Sequence, residues 1–94
     1  MKKKFYVISY DIKDDKRRTR VFKIMRNFGT RVQFSVFECI LSDEKMQELH
    51  DKIEKTIKTD EDSVRIYYIP ESLKKKIKII GVGEVVRDQK YFIV

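Results

Sequence analysis

The chain has almost none of the residues on which protein nucleophiles and protein metal cages are built. Cys39 is its one cysteine, which excludes an internal disulfide framework and a zinc site made of several cysteines. His50 is its one histidine, and no Ser-His-Asp set surrounds it. Its glycines number three and form no phosphate-cradling loop. There is no tryptophan and no uncharged apolar run long enough to span a membrane. A membrane-surface helix would need a basic face opposite a Trp/Leu face, and the most basic segment has another use for its apolar side. Lys2, Lys3 and Lys4 run straight into Phe5-Tyr6-Val7-Ile8. No h-region or small-residue cleavage site intervenes, so no secretory signal is expected, and the cytoplasm is the expected compartment. Any hydrolysis by such a chain needs water activated by a metal.

What is present is charge. In 94 residues, 22 Lys and Arg face 15 Asp and Glu, a net charge of +7. That excess on one small domain, residues 1–94, attracts polyanions, nucleic acid foremost. The hydrophobic share of 41% still suffices for a core. No repeats, linkers or low-complexity segments interrupt it.

Phe5 to Tyr10 is β-branched and aromatic on both alternating faces, as in a buried central strand. Asp11 ends it, and Asp14 or Asp15 caps a helix from about Lys16 to Phe28, with Val21, Ile24, Met25 and Phe28 at helical spacing and Gly29 as its stop. Thr30 to Leu41 is strand-like throughout, as one long strand or two with a break near Phe34-Ser35. Ser42 caps a second helix whose apolar stripe is Met46, Leu49, Ile53 and Ile57. Ser63 to Ile69 is a strand stopped by Pro70. Glu71 to Lys76 reads as a charged turn and Ile77 to Ile80 as a short edge strand.

The order strand, helix, strand, strand, helix, strand predicts an α+β, ferredoxin-like βαββαβ antiparallel sheet with both helices on one face. The first strand is then apolar on two faces while helices cover one. A second copy over the open face is the expected remedy, giving a homodimer. The tail from about residue 81, with Tyr91 to Val94 at its end, is expected to pack on the partner's sheet edge.

Asp11, at the junction of strand and helix, is either a loop residue or a metal ligand. In a dimer, two such carboxylates could approach and hold Mg²⁺ or Mn²⁺ with waters. Lys16, Arg17, Arg18, Arg20, Lys23 and Arg26 make the first helix basic, with Arg17 and Arg18 on the Asp11 side. They are a solvated face or a phosphate holder. Simple alternation groups Arg31, Gln33, Ser35 and Phe37 on one side of their strand, a surface row or one facing nucleic acid or metal. His50 borders the apolar stripe as a half-buried flank residue, and Cys39 is packing.

Tyr10-Asp11, the run from Asp14 to Val21, and Gly29-Thr30-Arg31-Val32-Gln33-Phe34-Ser35-Val36-Phe37-Glu38-Cys39 together resemble the CRISPR-associated protein two family. Asp62 to Tyr67 and Ile79-Ile80-Gly81 also match, so the resemblance spans nearly the whole chain. It implies a ferredoxin-like homodimer similar to metal-dependent nucleases that cleave single-stranded RNA or double-stranded DNA. Asp11 would be the catalytic metal ligand at the interface, supported by Tyr10 and the arginines. It also implies a bridging role between dimers of the CRISPR integrase during spacer acquisition. A non-catalytic DNA-binding adaptor and a toxin-type ribonuclease of a toxin–antitoxin pair are the alternative readings.

Overall fold

The computed structural model describes residues 2–88. Strands β1 (Lys3–Asp11), β2 (Thr30–Gln33), β3 (Val36–Ser42) and β4 (Ser63–Ile69) form one antiparallel sheet in the order β2-β3-β1-β4. Helix α1 (Asp15–Met25) joins β1 to β2, α2 (Asp43–Thr56) joins β3 to β4, and the single-turn α3 (Glu71–Lys74) follows β4. This is the predicted split βαβ arrangement. No helix among the described residues is long and apolar enough to cross a membrane.

Alternation along β1 sorts its two apolar sets. Tyr6, Ile8 and Tyr10 face the helices, in one core with Phe37 and Cys39 of β3, Val21 and Met25 of α1, and Leu49 and Ile53 of α2. Phe5, Val7, Ser9 and Asp11 take the opposite, helix-free face. That face is not bare, as the sequence had suggested. Phe5 is buried, with the Lys74 ammonium of α3 4.5 Å from its ring centre. The segment beyond α3 then crosses the sheet, and the Val86 amide donates to Glu38 Oε1 at 2.9 Å. Ile77 to Ile80, expected as an edge strand, pairs with no strand among the described residues and belongs to this crossing segment. Gly81 and Gly83 take positive φ, 104° and 130°, as it turns. The expected docking of Tyr91 to Val94 lies outside the described residues.

Asp14 caps α1 by accepting from the Arg17 amide at 2.9 Å. Ser42 caps α2 by accepting from the Lys45 amide at 3.2 Å, with Asp43 and Glu44 in the first turn where the helix dipole favours them. α1 ends at Met25, three residues short of expectation. The chain tightens there to bring Gly29 against β3, where an added Cβ would strike Cys39 Sγ and lie 2.6 Å from the Glu38 carbonyl oxygen. Thr30 to Leu41 is two strands with the break at Phe34-Ser35.

Candidate functional site

Asp11 closes β1 on the helix-free face, opposite Ser63 of β4. Its side chain is 71% exposed, and its contact is Lys13 Nζ at 3.4 Å. An ion pair this open to water adds little stability, so the carboxylate can exchange its lysine for another cation. In kind it is the hard oxygen donor that Mg²⁺ and Mn²⁺ take. In number one chain falls short. Among the described residues, the one set of three acidic or imidazole groups close enough to share an ion is His50, Asp51 and Glu54, all exposed on α2. Asp11 belongs to no such set, so its use as a metal ligand calls for a second copy. His50 is half exposed beside Asp51, at the flank position expected for it.

The row Arg31, Gln33, Ser35 and Phe37 does not exist as one face. β2 pairs Thr30 with Glu38 and Arg31 with Phe37, but a bulge then pairs Gln33 with Val36. The extra residue flips the alternation. Arg31 therefore shares the helix face with Phe37, its guanidinium 5.1 Å from the Phe22 ring centre. Gln33 is exposed on the opposite face with Val36. Ser35 sits in the turn, and its carbonyl accepts from the Tyr10 amide at 3.0 Å. Phe37 is fully buried and stacks on Tyr10 with ring centres 6.3 Å apart. Tyr10 is likewise core. Burial raises its phenol pKa, while the charges of Arg31 and Arg18 pull the other way. Cys39 is fully buried, as expected, and burial pushes its thiol up to about 12, so it stays protonated and inert.

The arginines of α1 divide. Arg17 is drawn inward to Asp62, with Nε 2.7 Å from Oδ2 and Nη2 3.0 Å from Oδ1, and Nη2 also reaches Glu61 at 3.2 Å. Arg18 caps the loop after β1 by donating to the Ile12 carbonyl through Nη2 at 2.9 Å and Nε at 3.2 Å, and it pairs with Asp15 at 2.6 Å. Arg20 is exposed and makes no hydrogen bond or ion pair among the described residues. Of the three, Arg20 is thus the one with its charge fully offered to a polyanion. The sequence reading missed Asp62. Nothing local distinguishes it, because its partner lies 45 positions away.

A hollow of about 1140 Å³ lies between the helix-free face and the crossing segment, lined by Val7, Val36, Glu38, Ile77 and Val86 among others. Asp11 is not in its wall. It is an apolar groove under the chain's own cover, not a chemical site.

Residues 4–77 match the family model for CRISPR associated protein Cas2. A CRISPR-associated endoribonuclease Cas2 of Chloroflexus aurantiacus is 40% identical over 92 residues, 98% of this chain and 99% of that one. Among solved structures, a hypothetical protein from Thermus thermophilus superposes with a TM-score of 0.79 at 32% identity, covering 88% of this chain and 96% of that one. A chain of a partial Cas6-RT-Cas1–Cas2 complex does so with a TM-score of 0.72 at 27% identity, covering 88% and 97%. With its ferredoxin-like sheet, its exposed strand-end aspartate and a match over most of its length, the chain belongs to the CRISPR associated protein Cas2 family.

Proposed function

We propose that the chain acts in CRISPR spacer acquisition as a homodimeric, Mg²⁺- or Mn²⁺-dependent endonuclease that cuts phosphodiesters in single-stranded RNA or double-stranded DNA. The observation that carries this reading is Asp11: an open carboxylate at a strand end, on the helix-free face, beside a basic helix. The relatives' names as endoribonucleases and a neighbour's occurrence in a Cas1–Cas2 assembly support it.

Asp11 of each of two copies would hold the metal, which when bound supplies Lewis acidity toward water and the phosphodiester. The chain's own residues do the rest. Lys13, 3.4 Å from Asp11, offsets carboxylate charge and is close enough to meet a phosphate. Arg20, with Lys16 and Lys23 on α1, draws the nucleic-acid backbone by charge without reading bases. The exposed ring of Tyr67, paired with Val7 on the helix-free face, favours a second copy there.

A second reading, the non-catalytic adaptor between integrase dimers, is favoured by the solitary carboxylate per chain. A metal titration of cleavage on both substrates separates the two, with Asp11→Asn as control. Cleavage that needs metal and vanishes in a folded Asp11→Asn dimer supports the nuclease. Cleavage persisting in excess chelator refutes it. An Asp11→Asn protein that still captures DNA and binds integrase, from a wild type that never cleaves, establishes the adaptor. Light scattering should give twice the 11.4 kDa chain mass; a stable monomer at micromolar concentration removes both.

A further inference from the structure

Asp11 is poorly held by its own side chain, with one exposed contact to Lys13. A ligand must nevertheless be placed within about 0.5 Å to bind well, which falls to supporting groups. Here the support is backbone. The residue after Asp11, Ile12, is buried in the core, and Arg18 clasps its carbonyl through two guanidinium nitrogens. The next amide, of Lys13, donates to Asp62 Oδ1 at 3.0 Å.

Asp62 is the unusual member. Its side chain is 0% exposed, and each of its oxygens takes two donors. Oδ1 accepts from the Lys13 amide and Arg17 Nη2, both at 3.0 Å. Oδ2 accepts from Arg17 Nε at 2.7 Å and the Lys58 amide at 2.9 Å. Both oxygens are thus committed within the chain, so Asp62 is not itself a metal ligand. A buried ion pair is a poor device for stability alone, since apolar groups of the same volume serve as well. What it provides is direction: a forked guanidinium fixes the carboxylate plane, and the carboxylate fixes the Lys13 amide.

We propose that Asp62, oriented by Arg17, is a positioning residue that sets the Ile12–Lys13 backbone and thereby aims the Asp11 carboxylate at its cation. The proposal rests on the reading of Asp11 as the metal ligand. On this account Arg17 and Arg18 serve the loop, and the phosphate contact on α1 falls to Arg20.

The test is Mn²⁺ binding by calorimetry on the full-length dimer, with single-stranded RNA cleavage alongside, at a temperature where circular dichroism shows each variant folded. Asp62→Asn keeps the shape and loses the charge. It should raise the Mn²⁺ dissociation constant about tenfold, the lower end for a group that supports a metal ligand, and lower kcat while leaving KM for RNA within about twofold. Arg17→Lys, which keeps charge but loses the fork, should fall between Asp62→Asn and wild type. A folded Asp62→Asn protein with wild-type Mn²⁺ affinity overturns the proposal and leaves Asp11 untouched. An Asp11→Asn protein that binds Mn²⁺ as wild type does, or a wild type that binds none, overturns the Asp11 reading and the positioning role with it.

Discussion

Replacing Phe37 by alanine distinguishes a core residue from one that meets nucleic acid. Its side chain is 0% exposed, stacked on Tyr10 at 6.3 Å and tilted against Phe22 at 6.0 Å. Burying an aromatic removes on the order of 150–250 Å² from water. At roughly 25 cal/mol per Å² that gives about 4–6 kcal/mol as an upper bound, since the unfolded chain hides part of the same surface. Measured Phe→Ala losses in cores run about 3–5 kcal/mol, so about 4 kcal/mol is expected. For a domain of this size that lowers Tm by about 15–30 °C. Phe37→Leu should cost only about 1–1.5 kcal/mol, because most of the volume stays. The assay is thermal melting by circular dichroism, with nucleic-acid affinity measured on each variant where it is still folded. A Phe37→Ala protein that melts like wild type but loses nucleic-acid affinity would refute the placement and restore a surface role.

Gly29→Ala should destabilise by about 1–3 kcal/mol, the overpacking range, because the new methyl meets Cys39 Sγ and the Glu38 carbonyl oxygen; an unchanged melt would contradict the close approach. Arg20→Ala should reduce the salt dependence of nucleic-acid affinity by about one phosphate contact, a slope change of roughly 0.9 on duplex DNA, with Tm unchanged; an unaltered slope would return Arg20 to the solvated face. Asp62 gives a pH prediction. Its hydrogen bond with Arg17 holds its carboxyl well below the usual carboxylate range, so the folded state binds fewer protons than the unfolded one. Its contribution is whole above about pH 4 and is lost as pH falls toward the folded value. Denaturant melts from pH 6 down to pH 2 should show wild type losing more stability than Asp62→Asn, and parallel losses would contradict the pairing.

Element order was legible because it rests on local signals. Asp14, Ser42 and Pro70 punctuate the chain, and a β-branched run marks β4 over its full length. Asp11 was legible for the same reason, as the polar end of an apolar strand. Two features were not. The β2 bulge moves Gln33 to the other face, and two-residue alternation cannot register an inserted residue. Asp62 acquires its meaning from Arg17 and Lys13, 45 and 49 positions away, and no window along the chain contains all three.

That separation also has a kinetic consequence. Among the described residues β4 is an edge strand paired only with β1, and the loop carrying Asp62 reaches α1 only once β1 and β4 have met. Contacts so distant along the chain form late, because closing the intervening loop costs entropy before they exist. Interactions absent from the folding transition state act on the unfolding rate. The Asp62–Arg17 pair is therefore a latch on the way out: without it the domain should fold at nearly its native rate and open sooner, shortening the time the strand end stays closed to proteases.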